Sequence, residues 1–175
     1  MSFQYPKIFD FPPLFSKQIV PKIQEEQIEH WKQIILNYYY YHRLFLLDIN
    51  LFNKQDISME CFENKKIGRK LNLDFLKEIV TEMYKCKLVL FEDEKFIILW
   101  RKPNEWADII YQWVKDNGQN NKTFLLMDLI DDEDHKNEEF FNIPLLLLKE
   151  SIKVLEKENK AKLFLQNNLD CVKFS

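Results

Sequence analysis

Apolar positions recur along this chain with two periods, and each change of period marks an element. Leu73, Leu76, Val80 and Met83 repeat at helical spacing and predict a helix running to about Cys86, with Asn72 placed to cap it. Leu88 to Phe91 and Phe96 to Trp100 are unbroken apolar runs joined by Glu92-Asp93-Glu94-Lys95, which predicts two strands and an acidic hairpin turn. Pro103 then suits the first turn of a helix, and Glu105 sits favourably near its N-terminus. Trp106, Ile110 and Val114 fall on one face of that helix, with Ile109 and Trp113 beside them and Gly118 available as a left-handed cap.

The flanking segments extend this grammar. Pro21 opens a helix to about Arg43 in which Ile28, Trp31, Ile35, Tyr38 and His42 repeat at helical spacing. Leu44 to Ile49 reads as a short strand, and a short helix is expected around Met59 to Glu63. In the second half Thr123 to Leu126 reads as a strand or a strand-like entry, and Asp131 to Glu139 as a charged loop. Ile143-Pro144 opens a helix to about Asn159, and Ala161 to Leu165 and Cys171 to Phe174 read as strands around an Asn167-Asn168 turn.

The two halves match. Adding 72 to Leu73, Leu76, Val80 and Met83 lands on Leu145, Leu148, Ile152 and Leu155, and Leu76-Lys77-Glu78 lands on Leu148-Lys149-Glu150. A helix followed by a two-stranded hairpin, occurring twice, describes an α+β chain of two tandem winged-helix domains. The expected boundaries are 21–102 for the first domain and 103–175 for the second, preceded by a segment of residues 1–20.

That leading segment is unusual. Phe3, Tyr5, Phe9, Phe11 and Phe15 accompany Pro6, Pro12 and Pro13 with little periodicity, whereas a flexible tail is normally poor in aromatics. Pro12-Pro13 favours an extended, polyproline-like conformation. The segment either packs along its own first domain or docks into another subunit.

Composition narrows the function by exclusion. The chain has 175 residues, is 46% hydrophobic and 15% aromatic, and so can bury a sizeable core; its formal net charge of −3 gives no overall pull towards nucleic acid or anionic lipid. Cys61, Cys86 and Cys171 form no Cys-x-x-Cys pair, which suits buried free thiols in a reducing compartment. Met-Ser-Phe-Gln-Tyr-Pro lacks the features of a signal peptide, and no apolar run approaches the roughly 20 residues that span a bilayer, so a soluble intracellular protein is expected. With two glycines, Gly68 and Gly118, there is no phosphate-cradling loop or dinucleotide fingerprint. His30 and His42 lie too far apart for joint ligation, Ser16 and Ser58 sit in no nucleophile-elbow context, and Asp131-Asp132-Glu133-Asp134 lacks the spacing and glycine of a calcium loop. The expectation is a non-catalytic chain with no metal and no cofactor.

A winged helix also raises the alternative of a nucleic-acid-binding transcription regulator. Charge argues against it: Lys77 and Lys85 are offset by Asp74, Glu78 and Glu82, Lys149, Lys153 and Lys157 by Glu150, Glu156 and Glu158, and the first wing tip would repel phosphate.

The run Trp100-Arg-Lys-Pro-Asn-Glu-Trp106, continued by Ile110-Tyr-Gln-Trp-Val114 and Gly118-Gln-Asn-Asn121, closely resembles the vacuolar protein sorting 25 family, the small subunit of the ESCRT-II endosomal sorting complex. Phe11-Pro12-Pro13-Leu14-Phe15 looks like that family's Pro-Pro-aromatic segment, and Phe62 to Leu71 like its Arg-Lys-Leu segment. The resemblance covers nearly the whole chain and implies the same tandem winged-helix fold. It implies a cytoplasmic protein recruited to endosomes, acting in the sorting of ubiquitinated cargo to multivesicular bodies. It implies two copies per complex, each bound to one of two larger winged-helix ESCRT-II subunits through Phe11, Pro12, Pro13, Leu14 and Phe15, with Leu14 where the family usually has an aromatic. It further implies that the second domain receives an ESCRT-III subunit of the charged multivesicular body protein 6 type. Leu146 and Leu147, beyond the helix stripe, and Glu150 beside them, are the expected contacts, unless the leucines simply close the domain against the Trp106 helix.

Overall fold

The computed structural model describes residues 2–175. The chain divides into two compact units, one ending at Trp100 and the other spanning Arg101–Ser175.

In the first unit α1 (Pro21–His42) leads into β1 (Leu46–Leu47), two 3₁₀ turns (Ile49–Leu51 and Ile57–Phe62), a minimal hairpin of β2 (Glu63–Asn64) and β3 (Arg69–Lys70), α2 (Leu73–Lys85), β4 (Val89–Glu92) and β5 (Lys95–Ile98). β1 joins the hairpin at β5, giving the order β1-β5-β4. Trp31, Ile35 and Tyr39 of α1 and Leu76, Ile79 and Val80 of α2 are fully buried together with Phe62 in one core. Asn72 caps α2 as the sequence leads one to expect, its Oδ1 accepting from the Asp74 N–H at 2.8 Å.

The second unit repeats the order: α3 (Pro103–Asp116), β6 (Thr123–Leu125), α4 (Leu126–Asp131), a 3₁₀ turn (Glu133–His135), α5 (Leu145–Lys157), β7 (Ala161–Gln166) and β8 (Leu169–Phe174). Its sheet order is β6-β8-β7. Each unit therefore has the helix, edge strand, middle helix or turn, second helix and hairpin of a winged helix. Trp106 and Ile110 are fully buried and Trp113 nearly so. Glu105 accepts from the Lys102 N–H at 2.7 Å, and Gly118 closes α3 at φ +61°, the one place where that helix needs a left-handed residue.

The internal repeat holds to the residue. α2 and α5 begin at Leu73 and Leu145 and end at Lys85 and Lys157, both pairs 72 apart. The bend after each helix is left-handed at Lys87 and at Asn159, each with φ 57°. The closing bonds correspond too: the Leu88 N–H donates to the Met83 carbonyl at 2.9 Å and the Lys160 N–H to the Leu155 carbonyl at 2.8 Å. β4 and β7 begin 72 apart, at Val89 and Ala161, but the wings then diverge: β4 and β5 have four residues each and β7 and β8 six.

Three local features differ from the sequence reading. The strand expected over Leu44 to Ile49 shrinks to two residues, because Asp48 caps a 3₁₀ turn by accepting from the Asn50 N–H at 2.9 Å. The region of Met59 forms a 3₁₀ turn started by Asp56, which accepts from the Ser58 N–H at 2.9 Å. The helix α4 was not anticipated: Leu126, Leu129 and Ile130 are buried at helical spacing, but β6 passes into the helix at Leu125 with no side-chain cap, so the apolar run reads as one strand.

Candidate protein-docking surfaces

The leading aromatic segment is built into the first unit by a buried amide. Gln27 lies on α1 one turn before Trp31 and is only 4% exposed. Its Nε2 donates to the carbonyls of Leu14 and Ser16, both at 2.9 Å, and its Oε1 accepts from the Gln18 N–H at 3.2 Å. Trp31 Nε1 donates to the same Leu14 carbonyl at 2.9 Å. An irregular segment running over a helix must satisfy its backbone polar groups as it buries side chains, and these two donors do so.

Aromatic packing completes the attachment. Phe15 meets Trp31 edge-on at 5.3 Å between ring centroids, Phe9 meets Phe15 at 5.4 Å, and Tyr5 stacks on Phe9 at 3.9 Å. From the other side Asn64 of β2 donates through Nδ2 to the Phe9 carbonyl at 2.8 Å, and Lys66 pairs with Asp10 at 2.6 Å. The Lys66 ammonium, with the Asn64 amide, holds the Asp10 carboxyl below its ordinary value. Burial raises the phenols of Tyr5, Tyr38 and Tyr39 above theirs. All three hydroxyls are therefore neutral near neutral pH, and those of Tyr38 and Tyr39 donate to the Ile57 and Ser58 carbonyls, each at 3.0 Å.

The five residues of the expected strip are thereby separated. Leu14 and Phe15 are each 3% exposed and belong to the unit's own core, while Phe11 is 53% exposed and Pro12 and Pro13 face outward. The proline pair opens a 3₁₀ turn over Pro12–Phe15 and is not extended. The fixed proline φ suits such a turn, and the turn is what lets Leu14 and Phe15 both reach α1. Gln27 is the residue that sequence reasoning missed. Ile28 attracts the eye as the apolar member of the stripe, yet the buried position is the polar one beside it; a polar residue one turn before a core tryptophan was the available signal.

The surface continues along the start of α1, where Ile19, Val20 and Ile23 are exposed, Ile19 almost wholly. Leu146 and Glu150 on α5 are partly exposed, and Glu150 pairs with Lys153 at 2.6 Å. Leu147 is fully buried. A groove of about 550 Å³ on the second unit has Ile109 and Trp113 in its lining, rimmed by Asp108, Asp116, Glu138 and Glu139. Glu139 is bonded to Arg101 at 2.6 Å.

Gln27→Ala removes a donor from the Leu14 and Ser16 carbonyls, loses the acceptor of the Gln18 N–H and leaves a void, so it is expected to destabilise the first unit by about 1–3 kcal/mol. Urea unfolding followed by tryptophan fluorescence measures this. A change within about 0.5 kcal/mol, the range of ordinary surface substitutions, would show that the amide holds nothing.

Comparison with known proteins places this geometry in a family. The model of the ESCRT-II complex subunit family matches residues 8–144. The vacuolar protein-sorting-associated protein 25 of Xenopus laevis is 34% identical over 177 residues, covering 99% of both chains. Those of Dictyostelium discoideum and Arabidopsis thaliana are 32% and 31% identical, covering 98% and 99% of this chain and 96% of each relative. The crystal structure of subunit VPS25 of the endosomal trafficking complex ESCRT-II superposes with a TM-score of 0.81 at 26% identity, covering 97% of this chain and 98% of that one. The same coverage and identity, with a TM-score of 0.80, are found for the crystal structure of the endosomal complex ESCRT-II (VPS22/VPS25/VPS36). With its tandem winged helices and its match over nearly the full length of these relatives, this chain belongs to the ESCRT-II complex subunit family, among the vacuolar protein-sorting-associated 25 proteins.

Proposed function

We propose that this chain is a non-catalytic subunit of ESCRT-II, present in two copies, each bound to one of two larger winged-helix subunits corresponding to VPS22 and VPS36. Acting at the endosome, the complex would sort ubiquitinated cargo into multivesicular bodies, with this chain bridging it to ESCRT-III. Family membership supports the assembly role. The observation that carries the contact is the outward face of the leading segment: Phe11, Pro12 and Pro13 are exposed on a turn that Gln27 and Trp31 fix from behind. A preordered strip loses less conformational freedom on binding, and an exposed aromatic supplies an anchor for a partner pocket. Leu14 and Phe15 contribute by holding the strip in place.

The second unit is proposed to receive a basic amphipathic helix of an ESCRT-III subunit of the charged multivesicular body protein 6 type. Leu146 and Glu150 offer an apolar and an acidic contact on α5, and Leu147 supports them from the core. The acidic rim of the α3 groove adds complementary charge.

Two outcomes are expected. Phe11→Ala leaves unfolding unchanged and weakens co-purification with the larger subunits at least tenfold, as loss of an interface anchor does. Phe15→Ala instead destabilises the chain by about 3–5 kcal/mol, the usual cost of emptying a buried phenylalanine site. Normal assembly by a folded Phe11→Ala chain would reject the strip as the contact. For the second unit, the full chain is titrated with the first helix of the ESCRT-III subunit at low and high salt. Affinity is expected to fall as salt rises and to fall again in Leu146→Ala/Glu150→Lys; no binding at low salt would reject that role.

A further inference from the structure

The second wing extends past the core that a winged helix needs. Counted from its base pair Ala161–Phe174, which corresponds to Val89–Ile98 in the first unit, the hairpin of β7 and β8 runs two residues further on each strand. The added length ends in Leu165-Gln166-Asn167-Asn168-Leu169-Asp170, with Asn167 and Asn168 forming a left-handed turn at φ 51° and 63°. Leu165 is 69% exposed and Leu169 53% exposed, so two leucines flank the Asn167-Asn168 turn in water, whereas the first wing's turn is flanked by Glu92 and Lys95, with Phe91 half-exposed behind it. Their exposure does nothing for the stability of the fold.

The charge behind the tip is equally unbalanced. Lys162 and Lys173 are directly opposite each other on β7 and β8, both exposed, and neither forms an ion pair with a described residue. Like charges facing each other across a ladder repel. Asp170 is the sole carboxylate from Lys162 to Lys173, and Lys149 neutralises it at 2.6 Å.

We infer that this wing tip is a membrane contact that docks on anionic lipid, with Leu165 and Leu169 entering the headgroup–acyl boundary. A convex tip cannot enclose a peptide side chain, but it can enter a soft apolar phase. Lys162 lies three residues behind Leu165 and Lys173 four behind Leu169, roughly 10–13 Å at about 3.3 Å per residue. Interfacial apolar groups sit about 5–10 Å into the boundary region, which leaves both ammonium groups at the level of the lipid phosphates. The contact is weak and reversible, and it adds a membrane foothold to the proposed assembly role without depending on it.

The test is co-sedimentation of the full chain with vesicles of phosphatidylcholine alone and of phosphatidylcholine containing about one-third phosphatidylserine, at low salt. The wild-type chain is expected to bind only the anionic vesicles and to be released by salt as the charges are screened. Lys162→Ala/Lys173→Ala should lower partitioning roughly 25-fold, at about fivefold per basic residue. Leu165→Ser/Leu169→Ser should lower it at least about tenfold, since buried methylenes carry interfacial affinity. Both pairs of substitutions are exposed, so circular dichroism should show unchanged folding. The inference is overturned if the wild-type chain binds no anionic vesicles at low salt, or if binding survives both double substitutions. It is overturned equally if the leucine pair changes assembly with the protein partners and leaves vesicle binding as it was.

Discussion

A single side-chain amide decides what this protein shows to its surroundings. Gln27 donates to the carbonyls of Pro13, Leu14 and Ser16 in the leading segment and accepts from the Gln18 N–H, at the edge of the α1 core. Without those bonds the Leu14 carbonyl would keep Trp31 as its side-chain donor, and the Ser16 carbonyl only the exposed Gln18 amide, at the edge of an apolar layer where each group left unpaired costs about 1–3 kcal/mol. With them, the segment becomes part of the first winged helix, and the aromatic series Tyr5, Phe9, Phe15 and Trp31 closes over it. The outward position of Phe11-Pro12-Pro13 follows, because the turn that buries residues 14 and 15 turns residues 11 to 13 away.

The two readings open for the leading segment are therefore compatible. It packs along its own domain and, by doing so, fixes the outer face that is proposed to meet a partner. Rigid presentation suits an assembly subunit, whose task is to hold a geometry between other chains. It also explains how aromatic content unusual for a terminus is accommodated: most of the rings are used internally and one is left over.

The fold was legible in the sequence wherever helical or strand periodicity was long. The 72-residue repeat of Leu73-Leu76-Val80-Met83 marked both second helices, with ends within about two residues of those observed, and Asn72, Pro103 and Gly118 marked element ends through backbone chemistry that leaves few alternatives. What was not legible was short or depended on partners distant in sequence. α4 has six residues and no cap; β2 and β3 have two each around Gly68. Whether Leu147 lies in the core and Leu146 at its edge cannot be read from a run of four leucines, since the answer depends on the elements packed against α5. Phe11 and Phe15 look interchangeable as letters, and only the Gln27 and Trp31 bonds, made across thirteen and seventeen residues of chain, distinguish the ring that anchors from the ring that projects.

The most direct test of this account is amide hydrogen exchange of the free chain over residues 11–18. The Leu14 N–H donates to the Phe11 carbonyl at 3.0 Å, the Ser16 N–H to the Pro13 carbonyl at 3.2 Å and the Gln18 N–H to Gln27. If the segment is part of the first unit before any partner binds, these amides exchange slowly, and Gln27→Ala speeds all three while the middle of α2 keeps its protection. Exchange at the rate of an unstructured peptide in the wild-type chain would contradict the account and make the strip a segment that orders only on binding.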